Sequence, residues 1–357
     1  MSFPKINVIF KSTAMKTVER GNGGVVAVIL KDSAENKGVK ELYTVSEIPT
    51  SLEAANKEYL QQAFMGGKKA PKKVVAIVCD KVQNNINEAL KALELYRINY
   101  VAVPGGTSQD VTALVNEVKQ LRDTKARTIK AVVADNNANH EGVINFVTSD
   151  IKVGNKTYTA QKYTARIAGL LAGTPQEASV TFHTLAEVDD IATRISETTA
   201  SEMIEAGKLT LFHDGEKVKI ARGVNSLVSL SEDKGDEFKK IKIVDVMDMI
   251  KDDITRTAND NYIGVVQNSY ENKCLLINGI NGYFEELEVA GILEKGRNKA
   301  EIDIDATKAF LKALGKDVDS MKEAEIKSAG TRDRVFIKAS VQILDAMETI
   351  EFVCHLI

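Results

Sequence analysis

Hydrophobic residues recur along this chain with three different periods, and their order outlines the fold. Val25 to Leu30 is a continuous apolar run, the pattern of a strand covered on both faces. Similar runs predict strands at Val74–Val78, Tyr100–Val103 and Ile129–Ala134, and Glu41–Val45 predicts another. Helical spacing predicts Ser51–Met65, capped by Ser51 and ended by Gly66-Gly67, then Asn85–Tyr96 and Ser108–Asp123. Strand and helix in alternation imply a mostly parallel sheet with right-handed crossovers. Gly142–Tyr158 reads as strand and turn, Thr159–Ala172 as a helix, and Leu185–Ile195 as irregular or helical. Thr198–Ala206 is a short helix closed by Gly207. Leu209–His213 and Lys217–Arg222 form a hairpin over Asp214-Gly215.

Beyond the charged stretch Ser231–Glu237 the pattern changes. Ile243, Val246, Met247, Ile250 and Ile254 sit at helical spacing in a long helix over Phe238–Ala258. Tyr270–Leu293 is a second long helix. A strand at Ala300–Ile304, a helix at Ala306–Leu314 and a charged helix at Asp319–Lys327 follow. The period then becomes two. Val335, Ile337, Ala339, Val341 and Ile343 share one side, and after a bend at Asp345–Met347 so do Ile350, Phe352, Cys354 and Leu356. The other end carries a matching run, Ile6, Val8 and Phe10, set off by Gly21-Asn22-Gly23-Gly24. Apolar terminal strands must find partners, in this chain or in another. The fold class expected is an α/β body over 21–235 with an α+β domain over 236–346. Terminal β-arms are expected over 1–20 and 347–357.

Composition narrows the functional classes. The 357 residues are 44% hydrophobic and 27% charged, with net charge −3 and no Trp. That is ordinary for a globular chain, and it lacks the basic stripe of a nucleic-acid binder. No apolar run approaches the roughly 20 residues of a membrane helix, so no direct membrane insertion is expected. The start, MSFPKINVIFKS, lacks the apolar core of a signal peptide, so folding in a cytoplasm is expected. Cys79, Cys274 and Cys354, odd in number and far apart, read as buried reduced thiols.

Candidate chemistry is sparse. Pro104-Gly105-Gly106-Thr107 joins a strand to a helix, where a phosphate could bind, yet no G-x-G-x-x-G or Walker lysine is present. Asp80 and Asp135 sit at strand ends, the place of catalytic groups in α/β enzymes, with His140 five residues past Asp135. No nucleophile elbow accompanies them. His140, His183, His213 and His355 show no metal-ligand spacing. Asp252-Asp253 and Glu285-Glu286 with Glu288 read as a solvated or inter-subunit helix face. No catalytic residue, cofactor, metal or nucleic-acid partner is expected, and the pattern favours assembly over catalysis.

Three stretches then carry a resemblance. They are Ala165–Pro175 with Ser179-Val-Thr-Phe, then Gly207–Leu227, then a series starting at Val244–Asp253. The series continues through Tyr262–Gly264, Asn281-Gly-Tyr-Phe284 and Gly330–Val335 to Asp345–Ile350. Together they resemble the sheath proteins of contractile phage tails, in the form found in Gram-positive prophages and R-type, phage-tail-like bacteriocins. The resemblance implies a subtilisin-like body without a working protease triad. It also implies subunits in stacked rings of six around a tail tube, contracting from a metastable extended state without nucleotide hydrolysis. Implied partners are other copies of the chain, the tube protein, and baseplate and tail terminator proteins, in a particle assembled in a bacterial cytoplasm. On this reading Ile6, Val8 and Phe10, and Ile350, Phe352, Cys354 and Leu356, are arms given to neighbours. Val335, Ile337, Val341 and Ile343 form the receiving strand. Lys322, Glu323, Glu325 and Lys327 lie on a helix that faces the tube. The rival readings are an α/β hydrolase or nucleotide-binding enzyme with a dimerisation domain, and an unrelated filament protein.

Overall fold

The computed structural model describes residues 24–356. Ile6, Val8 and Phe10 therefore lie outside the described residues. These divide into two compact units: the residues up to Met249 with those from Asp345 on, and Ile250–Leu344.

The first unit is built on β1 (Val25–Asp32), β2 (Gly38–Leu42), α1 (Ala54–Met65), β3 (Lys73–Asp80), α2 (Asn87–Leu93), β4 (Tyr100–Ala102) and α3 (Ser108–Asp123). It continues through β5 (Lys130–Ala134), β6 (Val143–Phe146), β7 (Ile151–Val153), β8 (Lys156–Tyr158), α4 (Ala160–Ala172), β9 (Asp190–Ile191), α5 (Glu197–Glu205) and β10 (Lys208–Leu209). The hairpin β11 (Leu211–His213) and β12 (Val218–Ile220) follows, and α6 (Ile241–Asn261) leads into the second unit. Seven strands form one sheet in the order β10-β6-β5-β4-β1-β3-β2. All pairs are parallel except β2 with β3.

The unbroken apolar runs have a direct cause. Val26, Val28 and Leu30 of β1 enter a core with α1 and α4, while Ala27 and Ile29 enter a second core with α2 and α3. With helices on both faces, alternation has no polar side to show. α1 and α4 approach closely because Gly169 has no side chain: a Cβ there would lie 2.1 Å from the Ala63 carbonyl oxygen.

Helix ends explain two outcomes. α3 starts at Ser108 as expected, because Thr107 and Asp110 cap it reciprocally and Lys31 holds the Asp110 carboxylate at 2.6 Å. That carboxylate takes the Thr107 amide, at the helix start where a phosphate would have sat. α1, however, starts three residues later than expected, and Ser51 does not cap it. The Ser51 hydroxyl bonds Asn36 Oδ1 at 2.5 Å, and the Asp32 carboxylate takes the Glu53 amide at 2.9 Å. Burial pushes the Asp32 carboxyl up, but hydrogen bonds from Asn56, Glu53, Asn36 and Ser33 outweigh it and hold its pKa at about 2. The expected strand at Glu41–Val45 begins and ends earlier, as β2, and Val45 belongs to a short 3-10 turn.

The second unit holds the end of α6, α7 (Tyr270–Val289), β13 (Lys299–Ile302), α8 (Ile304–Ala313), α9 (Glu323–Ser328) and β14 (Ile337–Ser340). Tyr283, Phe284 and Leu287 of α7 are buried with Ile292, Ile302 and Leu311. Asp253, expected on a solvated face with Asp252, is instead buried. It accepts from the Tyr283 hydroxyl at 2.9 Å and from Arg256 at 2.5 Å. Glu285 and Glu286 are exposed as expected. Among the described residues no helix is long and apolar enough to cross a membrane.

Candidate functional site

β13 and β14 form an antiparallel pair, with Lys299 opposite Ser340 and Ile302 opposite Ile337. Phe336 O accepts from Asp303 N at 3.0 Å, Gln342 O accepts from Glu294 N at 2.8 Å, and Leu344 N donates to Ile292 O at 2.9 Å. Even-numbered residues therefore turn their main-chain groups inward. By the alternation of an antiparallel ladder, Ile337, Ala339, Val341 and Ile343 turn theirs outward, and among the described residues this two-stranded sheet has no further strand there. Val335 and Val341 are exposed, and Ile337 and Ile343 are half-buried. Of the strand expected over Val335–Ile343, the ladder covers Ile337–Ser340, with one more bridge, Leu293 to Ile343.

The chain from Asp345 onward belongs to the first unit, and two acidic residues fix it there. Asp345 pairs with Lys240. Glu348 is held more fully: its carboxylate accepts from Thr181 Oγ1 at 2.5 Å and Arg222 Nε at 2.8 Å, and lies 3.0 Å from Ser179 Oγ. The Gly223 amide donates to Thr181 Oγ1 at 3.0 Å and sets that hydroxyl. Past Glu348 nothing of this kind recurs among the described residues. Ile350, Phe352 and Leu356 are 82%, 84% and 98% exposed, and Cys354 is exposed too. These residues alternate as a strand does, yet among the described residues they form no ladder.

The start of α6 is anchored by buried charge. Lys130, 2% exposed on β5, lies 2.6 Å from Asp248 and 3.0 Å from Asp245. Arg122 grips Asp248 with two bonds, of 2.8 and 3.1 Å, and Tyr100 donates to Asp245 at 2.6 Å. Burial alone would push the Lys130 ammonium down, but Asp248 and Asp245 hold its pKa above the ordinary value. Burial and Asp245 push the Tyr100 hydroxyl well up. Sequence reading missed this network. Its signal was a lysine at the head of an apolar strand and two aspartates three apart on a helix whose other face is apolar.

The residues weighed for chemistry are engaged otherwise. Asp80 accepts from the Val82 amide at 2.9 Å, closing a turn. Asp135 is a left-handed turn residue. His140 Nδ1 accepts from the Gly142 amide at 2.9 Å, its Nε2 lies 3.2 Å from Asp123, and Ser226 bonds only its main chain. A serine nucleophile needs a ring nitrogen within reach, and both nitrogens of His140 are taken. Asp123, His140 and Glu141 bring ligand atoms within 4.8 Å of one another, but Glu141 already pairs with Lys234 at 2.9 Å. His213 closes the β11–β12 hairpin through the Gly215 amide, and His355 is exposed. Of the cysteines, expected to be buried, only Cys79 is; Cys274 is half-buried and Cys354 exposed. Lys322, Glu323 and Glu325 are exposed around α9, where Lys327 pairs with Glu323 at 2.5 Å and Ile326 is buried.

The profile of the phage tail sheath protein central domain matches residues 80–226, and that of the phage tail sheath C-terminal domain matches residues 233–357. The tail sheath protein of Clostridium phage phiCD119 is 36% identical over 350 residues, covering 97% of each chain. The XkdK protein of the phage-like element PBSX of Bacillus subtilis is 28% identical over 60% of this chain and 44% of its own. Among solved structures, the helical sheath of the anti-feeding prophage in its contracted state covers 99% of each chain with a TM-score of 0.74 at 13% identity. The sheath tail protein of Desulfitobacterium hafniense covers 84% of this chain and 94% of its own, with a TM-score of 0.70 at 16% identity.

Proposed function

This chain belongs to the phage tail sheath family, and from that premise we propose that it joins other copies by strand addition on the outer edge of β14. The added strand is the tail beyond Glu348 of another copy, with Ile350, Phe352, Cys354 and Leu356 as its apolar side. One observation carries the reading. Among the described residues, β14 has an edge on odd-numbered residues with no strand beside it and, past a fixed Glu348, residues 349–356 form an exposed alternating segment with no ladder of their own. Main-chain bonds along such an edge supply affinity, and alternate side chains supply register. The N-terminal run with Ile6, Val8 and Phe10 serves as a second arm.

On the same reading the subunits stack as rings of six around an inner tube, and the body is subtilisin-like in fold. Contraction from a metastable extended state drives the tube through a cell envelope. The role is structural and not catalytic. Stored energy lies in the packing between copies, as in other two-state assemblies. The charged edge of α9, with Lys322, Glu323, Glu325 and Lys327, faces the tube. Baseplate and tail terminator proteins bound the polymer, and assembly takes place in the bacterial host cytoplasm.

Negative-stain electron microscopy of the purified chain, alone and co-expressed with its tail-tube protein, tests this. Helical tubes or ring stacks are expected, filled when tube protein is present. Reversing Lys322 and Lys327 to Glu should leave sheath without tube. A compact monomer or dimer under every condition tried would overturn the reading.

A further inference from the structure

We propose that Asn281 closes the other edge of the β13–β14 pair, so that the tail of a second copy can add only on β14 and the sheet grows in one direction. The inference rests on the strand-addition reading above. Because even-numbered residues of β14 face β13, Lys299 and Glu301 are the β13 residues that bond it, and Ala300 turns its main-chain groups the other way. Those groups meet a side chain. Asn281 Oδ1 accepts from the Ala300 amide at 2.7 Å, and Asn281 Nδ2 donates to the Ala300 carbonyl at 3.1 Å. A carboxamide carries the same donor and acceptor as a peptide group, so Asn281 stands in for one residue of a neighbouring strand. It is held in place by α7, whose Ile280, Tyr283 and Phe284 on either side are buried.

The two edges of the pair are therefore unequal. One is occupied by a side chain that no incoming strand can displace without leaving the buried Ala300 groups to re-pair. The other exposes a row of main-chain groups over Ile337–Ile343. The occupant of that row is residues 349–356 of a second copy. Its apolar side is exposed, and its Glu351 can meet Lys338, which is exposed on β14. The N-terminal segment carries Lys5 and Lys11 on the corresponding side, one or the other of which its register would bring to Lys338, and like charges opposite each other on a sheet repel. Any further strand then pairs with the far side of the tail and not with β13.

The test uses the full chain with Asn281→Ala, alone and combined with Ala300→Pro. Proline at 300 removes the outward N–H and places a ring on the edge, so it closes the edge without restoring the Asn281 bonds. Asn281→Ala is expected to give branched or irregular aggregates by electron microscopy, and the double variant regular assemblies. A second measurement covers a double variant that does not fold. A synthetic peptide of residues 348–357, N-methylated on alternate residues so that it pairs along one edge only, is titrated into dilute wild-type chain and into Asn281→Ala. One bound peptide per chain is expected for the wild type and two for the variant. Regular assembly of Asn281→Ala, irregular assembly that a folded double variant does not correct, or one peptide in both chains would overturn the assignment of Asn281. Normal assembly of a chain lacking residues 349–357, or no peptide binding to either chain, would instead contradict the strand-addition reading itself.

Discussion

Removing residues 349–357 leaves a chain that folds and stays monomeric at concentrations where the intact chain polymerises. Among the described residues the deleted segment packs against nothing in its own subunit: Ile350, Phe352 and Leu356 are almost fully exposed, and the last anchored side chain, Glu348, is kept. Thermal stability should therefore move little. Association should suffer greatly. Main-chain bonds contribute about 1 kcal/mol each, which at most offsets the cost of ordering the segment, about 1–2 kcal/mol per residue. The surplus comes from three large apolar side chains, at roughly 1.5–3 kcal/mol each when fully buried. Losing them should raise the concentration needed for association at least about a thousandfold. Light scattering across a dilution series, read beside circular dichroism, measures both quantities. Unchanged polymerisation of the truncated chain would contradict the role given to the tail.

The largest expected effect on folding comes from Asp248→Ala. The substitution removes the carboxylate that receives two bonds from Arg122 and one from Lys130, in a site closed to water. Asp245 remains 3.0 Å from Lys130, but it cannot compensate two buried cations. Arg122 already has its Nε without a partner among the described residues. Breaking a buried pair from one side costs about 3–5 kcal/mol, which for a unit of this size lowers Tm by about 10 °C. The network ties the first turns of α6 to β4, β5 and α3, so the loss should appear as early melting of the first unit. A shift of only a degree or two in calorimetry would show that the charges are solvated and the anchoring lies elsewhere.

The parts of the fold that follow from local pattern were legible in the sequence. Continuous apolar runs marked β1, β3, β4 and β5 because both faces of that sheet are covered, and α3 had its true limits because its cap lies within four residues of chain. What failed was decided by distant partners. Ser51 looks like a cap until Asp32, 21 positions from Glu53, takes the amide it would have served. Lys130 and Asp248 lie 118 positions apart, and Ser179 and Glu348 169 apart, so neither site has a local signature. The stretches that carry the family resemblance do meet at these places. Ser179, Thr181, Arg222 and Glu348 form one clamp, and Asp245 and Asp248 form one anchor. Asn281 closes an edge. The terminal alternation is a different case: Glu348–Ile357 has the pattern of a strand, but a strand is made by its partner, and the described residues of a single chain supply none for 349–356.

Residue-resolved amide hydrogen exchange over 337–343, in the monomer and in the assembled protein, tests strand addition on β14 most directly. The even-numbered amides should be protected in both states, since their partners lie within the chain. The odd-numbered amides of Ile337, Ala339, Val341 and Ile343 should exchange freely in the monomer and become slow on assembly. Odd-numbered amides that exchange equally fast in both states would show that no strand is added on this edge.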